Sequence, residues 1–196
     1  MLAEPIETEI AALAERYGAP LRVVQPLTGG LFDPLFMRDR YGEVCMVVRR
    51  PDGTLITAIK TFYPAGAFRL LTGGVHFGEA IADALVREVA EETGLDVAVR
   101  RFLAVIEYEL PALAGKRFAT FAFLLDELGG ELVVSDPDER IGAFRFLRVD
   151  ELPAQAETLA GVPDTRDDEV QGSWRDWGRF RAVVHRVVHA ALMQPA

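Results

Sequence analysis

Glu79, Arg87, Glu88, Glu91 and Glu92 stand in one short segment of the chain and are the residues with the most chemistry to offer. On a helix, Glu88, Glu91 and Glu92 fall at i, i+3 and i+4 and share a face. Carboxylates so placed repel one another by about a few tenths of a kcal/mol per pair. Glu91 and Glu92 also fall in the last turn, where the helix dipole disfavours negative charge. Arg87 can pair with Glu91 or reach back towards Glu79, but one cation does not balance four acids. A hard divalent cation held by oxygen ligands accounts for the unpaired set. Mg²⁺ or Mn²⁺ there would attract phosphate oxygens and lower the pKa of a bound water. A solvated acidic helix face would carry the same three residues, so these acids alone leave both readings open.

The elements that must position these acids can be read around them. A glycine-bearing turn at Gly73, Gly74 and Gly78 runs into a helix over residues 79–93, closed by Gly94. Leu85, Val86 and Val89 form an apolar stripe beside the acids, and Ala84 is small and leaves space. Upstream, residues 5–17 read as a helix ended by Gly18, and residues 21–26 as a strand. Residues 27–35 are broken by Gly29, Gly30 and Pro34 and read as a loop or irregular strand. Residues 43–50 and 54–62 flank Pro51-Asp52-Gly53 and form a hairpin. Downstream, residues 97–110 and 117–128 are β-rich, residues 142–149 form a strand and residues 150–159 a helix. Residues 161–173 form an acidic loop. Residues 174–193 form a long closing helix with Trp177, Phe180, Val184, Val187, Val188 and Ala191 at apolar positions. No repeat and no Pro/Ser-rich linker divides the chain. Residues 1–196 therefore read as one α+β domain, with 1–40 an N-terminal helix-and-strand appendage and a mixed sheet covered by helices.

Composition narrows the function. The chain has 196 residues, half of them apolar, enough for a sizeable core. Its net charge of −9 and scattered basic residues argue against a nucleic-acid polymer as partner. No stretch approaches the ~20 apolar residues of a membrane span, and no signal peptide is visible at the N-terminus. The single cysteine, Cys45, allows no internal disulfide and favours a reducing compartment. A cytoplasmic protein is expected. There is no Asn, and two lysines stand against 19 arginines. Heat adaptation and a GC-rich genome both give this pattern.

The spacing sharpens the reading of the acids. From Gly73 to Leu95 the order is Gly, five residues, Glu, seven residues, Arg-Glu, an aliphatic, one residue, Glu-Glu, one residue, Gly, an aliphatic. This resembles the signature of the Nudix hydrolases at all nine positions. With residue frequencies of roughly 6%, agreement at the seven fixed positions has a chance on the order of 10⁻⁹ per window. The flanks agree in outline, and residues 144–152 look like a late strand leading into an Asp-Glu-Leu helix start. Phe146 stands there where the family usually has Trp.

The resemblance implies an α/β/α sandwich with a mixed central sheet and hydrolysis that depends on Mg²⁺ or Mn²⁺. It points to Glu88, Glu91 and Glu92 as metal ligands, with the backbone carbonyl of Thr72 as a further one. It points to Glu79 and Arg87 as a pair that holds the acids in position. A carboxylate from the loop before the late strand is expected as ligand or general base; Glu139 fits best, and Asp138 competes. Glu88, Glu91 and Glu139 are then the catalytic carboxylates. Phe68 and Arg69 lie where the family places substrate, and Arg69 could equally be a surface arginine. The implied substrate is a small nucleoside diphosphate linked to another moiety. Pro111, 16 residues past Leu95, tilts this towards ADP-ribose or an ADP-sugar. A nucleoside triphosphate pyrophosphohydrolase is the alternative. So is a non-catalytic nucleotide-sensing module, although such modules often lose the acids that are intact here. Isomerisation of an isoprenoid diphosphate needs a reactive cysteine, and Cys45 in a β run is a poor candidate. A homodimer is left open.

Other residues read more plainly. His185 and His189 have the i, i+4 spacing of zinc ligands but lack a third ligand, and are expected at the surface. Trp174 and Trp177 are expected to pack the closing helix rather than stack on a base. Asp164, Asp167, Asp168 and Glu169 read as a solvated charge run. Cys45 reads as a small buried hydrophobe.

Overall fold

The computed structural model describes residues 2–35, 37–109 and 118–194, and Pro111 therefore lies outside the described residues. Helix α1 (Glu4–Tyr17) leads into strand β1 (Leu21–Pro26), followed by β2 (Arg40–Arg49), β3 (Leu55–Lys60) and β4 (Arg69–His76). Helix α2 (Ile81–Thr93) comes next, then the long strands β5 (Leu95–Glu109) and β6 (Phe118–Gly130). A 3₁₀ turn at Pro137–Glu139, strand β7 (Ile141–Leu147) and helix α3 (Leu152–Ala160) follow. A two-residue pairing of β8 (Arg166–Asp167) with β9 (Gly172–Ser173) interrupts the acidic loop before α4 (Trp174–Leu192).

The sheet runs β1-β5-β6-β2-β4-β3-β7. Strands β1 and β5, and β2 and β6, are parallel, and the other neighbours are antiparallel. Strand β2 lies at the centre, and its residues 44–48 form a continuous buried apolar run, as suits a strand covered on both faces. Its side chains alternate between two cores. Cys45 and Val47 pack with Leu152, Ala156, Trp177 and Phe180 under α3 and α4. Val44, Met46 and Val48 pack with Leu13, Ile81, Leu85 and Val89 under α1 and α2. The result is an α/β/α sandwich with a mixed sheet. Phe102 and Phe123 stack at 4.4 Å in the second core, a pairing that adds about 0.5–1.5 kcal/mol to their burial.

The structure corrects four local expectations. Gly73 and Gly74 belong to a full strand, β4, and the turn into α2 is confined to residues 77–80. Two adjacent glycines normally punctuate a chain, but here they serve a close approach described below. Val86 faces solvent at 70% exposure, so only Leu85 and Val89 of the expected stripe are buried. The acidic loop carries the short β8–β9 pairing. His185, expected at the surface, is 1% exposed. Trp174 and Trp177 are buried in the core of α4, as expected for packing residues. No described helix is long and apolar enough to cross a membrane.

Candidate active site

Helix α2 ends where Gly94 adopts a left-handed conformation (φ 64°) and donates its N–H to the Ala90 carbonyl. This geometry suits glycine and leaves Glu88, Glu91 and Glu92 on the last turns, turned towards the sheet. Glu88 is 5% exposed and Glu92 fully buried. The approach depends on Gly73: a Cβ there would lie 1.8 Å from Cδ of Glu88. A helix carrying carboxylates can therefore seat one of them directly on a strand.

Arg87 ties the acids to the rest of the segment. Its Nε and Nη2 donate to both oxygens of Glu79 at 2.9 and 3.1 Å. Its Nη1 donates to Glu88 at 2.7 Å and to Glu91 at 3.1 Å, and Nη2 also reaches the Gly74 carbonyl at 2.9 Å. Glu79 in turn accepts the backbone N–H of His76 at 3.0 Å. One guanidinium thus fixes the turn, the strand and two of the three acids, using the planar fork that suits carboxylates.

Glu139 arrives from the 3₁₀ turn. Oxygens of Glu88, Glu91 and Glu139 lie within 4.8 Å of one another. Asp138 is exposed and stays out of this group. Lys60, at the end of β3, donates to Glu139 at 2.8 Å. Burial alone would raise the Glu139 carboxyl, but Lys60 and then Arg69 hold it below the usual value. Glu88 is raised by burial against the pull of Arg87. Burial pushes Glu92 up to about 7, with Arg69 and Lys60 opposing. Among the described residues both Glu92 oxygens are buried without a hydrogen-bond partner, and Arg69 Nη2 is 3.5 Å away. Buried carboxylate oxygens are rarely left so. The convergent oxygens and the orphaned pair suit a hard cation such as Mg²⁺ or Mn²⁺ and ill suit a soft one.

Arg69 is 3% exposed and no surface residue. Its Nε donates to the Tyr63 hydroxyl at 3.2 Å, its Nη1 to the Leu70 carbonyl at 2.9 Å, and its Nη2 faces Glu92. Phe68 turns away, with the Arg145 guanidinium 4.7 Å from its ring centre. Thr72 lines the cleft, opposite Cys45 in the β2–β4 register.

The acids open into a cleft of about 190 Å³, whose walls include Glu43, Lys60, Arg69, Glu88, Glu139 and Arg181. Lys60, Glu43 and Arg181 were not anticipated. Glu43 and Arg181 form a buried pair in which one nitrogen, Nη1, donates to both carboxylate oxygens at 2.9 and 2.8 Å. His185, one turn on, accepts the Leu70 N–H at Nε2 (3.2 Å), so Nδ1 carries the proton to the Arg181 carbonyl (2.9 Å). With both ring nitrogens engaged, His185 is no zinc ligand, and burial lowers its pKa to about 4.

Residues 39–166 match the family model of the NUDIX domain, and the chain belongs to that family. Among its relatives is an NAD-capped RNA hydrolase, NudC, of Shigella dysenteriae. It is 32% identical over 62% of this chain and 43% of its own length. NudC of Escherichia coli O1:K1 is 32% identical over 56% and 40%. The chain thus spans less than half the length of these relatives. An ADP-ribose pyrophosphatase of Streptococcus suis aligns over 79% of this chain and 93% of its own, at 18% identity and a TM-score of 0.48.

Proposed function

We propose that this protein hydrolyses a diphosphate bond in a nucleoside diphosphate linked to another moiety, with Mg²⁺ or Mn²⁺ as cofactor. The observation that carries the reading is the meeting of Glu88, Glu91 and Glu139 within 4.8 Å, from a helix and a turn far apart in sequence. A charge run on a solvated face has no reason to recruit a third carboxylate and bury Glu88 with it.

In this reading Glu88, Glu91 and Glu92 hold the cation, with the Thr72 carbonyl as a further ligand. A divalent ion bound there supplies positive charge for the phosphates and acidifies water. Arg87 holds Glu88 and Glu91 in place through Glu79. Glu139, kept ionised beside Lys60, accepts the proton of the attacking water. The P–O bond to the leaving phosphate breaks as the water oxygen bonds to phosphorus. Two phosphate monoesters result, one of them a nucleoside monophosphate.

ADP-ribose or an ADP-sugar is the first substrate choice, from the position of Pro111. NAD-type dinucleotides belong to the same class, and the 32% identical NAD-capped RNA hydrolases favour including them. Product analysis with Mg²⁺ decides. ADP-ribose is expected to give AMP and ribose 5-phosphate without inorganic phosphate or pyrophosphate. Release of pyrophosphate from a nucleoside triphosphate at a higher kcat/KM would overturn the substrate class and leave the hydrolase reading standing. Cleavage of none of these compounds would overturn both.

A further inference from the structure

The buried pair Glu43–Arg181 belongs to neither the signature helix nor the turn that brings Glu139. It joins the central strand to the closing helix. Arg181 is 5% exposed and Glu43 2%. Thr120 Oγ1 donates to Glu43 at 2.9 Å, and the Tyr108 hydroxyl lies 3.0 Å from Thr120. Glu43 is thus fixed from two sides, and it fixes Arg181.

The pair is oddly made for a structural one. A guanidinium and a carboxylate normally meet fork to fork, with two nitrogens on two oxygens. Here Nη1 serves both oxygens. Among the described residues Nε is buried without a partner, and Nη2 has no hydrogen bond to protein. Leaving a charged donor unsatisfied in the interior is costly. Arg87, which lines the same cleft, has all three guanidinium nitrogens hydrogen-bonded, and Arg69 has two, with its Nη2 set 3.5 Å from Glu92. Arg181 commits only Nη1 to a partner among the described residues and keeps its other two nitrogens in reserve.

Its location gives the reserve a use. In the β2–β4 register Glu43 stands opposite Gly74, and the next position along β4 is Gly73, on which Glu88 rests. With no side chains of their own, the two glycines let Glu88 and the Arg40 guanidinium lie against the strand, and the acids and the Glu43–Arg181 pair line one cleft. A diphosphate with one phosphate at the carboxylate cluster would extend along this cleft towards Arg181.

We propose that Arg181 is an anion-binding residue that receives the second phosphate of the diphosphate, the one not attacked. The proposal rests on the diphosphate reading above. Glu43 acts as a positioning residue: it occupies Nη1 and aims the rest of the guanidinium along the cleft. Arg181 thereby fixes which phosphorus lies at the acids.

The test is calorimetric binding of methylenediphosphonate, a hydrolysis-resistant diphosphate, in Mg²⁺. Arg181→Lys keeps the charge and the Glu43 contact but offers one nitrogen for two tasks. It is expected to bind about 10-fold or more weakly while melting close to wild type. The double variant Glu43→Gln/Arg181→Gln removes the buried charges together, and should fold if Arg181→Lys does not. It is expected to lose at least as much affinity. Wild-type affinity in either folded variant would make the pair purely structural and overturn the proposal, leaving the diphosphate reading intact. Absence of binding by the wild-type protein would overturn both.

Discussion

The carboxyl of Glu88 fills the space that a side chain on Gly73 would need. A Cβ on Gly73 would sit 1.8 Å from Cδ and 2.0 Å from Oε2 of Glu88. The neighbouring Gly74 is crowded differently. Its Cβ would meet the Arg40 guanidinium at 2.6 Å, the far end of a flexible chain.

This contrast gives the first prediction. Gly73→Ala must push Glu88 off the strand, with an overpacking cost of about 1–3 kcal/mol and a loss of activity of roughly 10²-fold or more. Gly74→Ala displaces only Arg40 and is expected to retain much more activity. Steady-state rates and melting curves of the two variants check this. Equal activity in both would mean that the seat of Glu88 is unimportant.

A second prediction concerns pH in a metal chelator. Glu92 has a raised pKa of about 7 in the folded protein, so its contribution to stability is greatest in acid and is lost as pH rises from about 4.5 to 7. His185 is lowered from 6.5 to about 4, so its contribution is present above 6.5 and is lost as pH falls towards 4. Each spans on the order of 3 kcal/mol with opposite sign. Wild-type Tm should be flat between pH 4.5 and 6.5. Glu92→Gln should tilt it upward with pH, and His185→Gln downward. Parallel curves for the two variants would contradict the assignment.

Metal should be visible in stability as well as in rate. Ions that bind only the folded state raise stability by about 2.7 kcal/mol at a hundred times Kd. Millimolar Mg²⁺ or Mn²⁺ is therefore expected to raise Tm of the wild-type protein and leave Glu88→Gln/Glu92→Gln unmoved. Glu88→Gln alone should lose roughly 10²-fold in rate. A Tm indifferent to metal in the wild-type protein would overturn the metal role of these acids.

The signature acids and their helix were legible because spacing on a helix dictates a face. The layers of the sandwich were legible because long apolar runs and an amphipathic closing helix must cover one another. Strand β4 was hidden by its own glycines: the feature that seats Glu88 looks, in one dimension, like a turn. Lys60 carried no signal, since its meeting with Glu139 depends on β3 pairing with β7. Arg181 and His185 did carry one. Trp177, Arg181, Val184, His185 and Val188 recur at i, i+4, i+7, i+8 and i+11, which puts both polar residues on the buried face of α4. His185 was instead expected at the surface and Arg181 was not singled out, although a polar residue on an apolar stripe is the informative exception.

Cys45 is the chain's single cysteine, and it lies in the middle of the central strand, paired with Thr72 on one side and Ala122 on the other. Burial pushes its thiol well above the ordinary range, so the folded protein presents neither thiolate nor access to a reagent. An alkylating agent reaches it only when β2 parts from its neighbours. The rate of that reaction clocks the opening of the sheet at its centre. A diphosphate that bridges α2 and α4 across β2 should slow the clock as its occupancy rises, giving a native, built-in reporter of how strongly the cleft holds the fold shut.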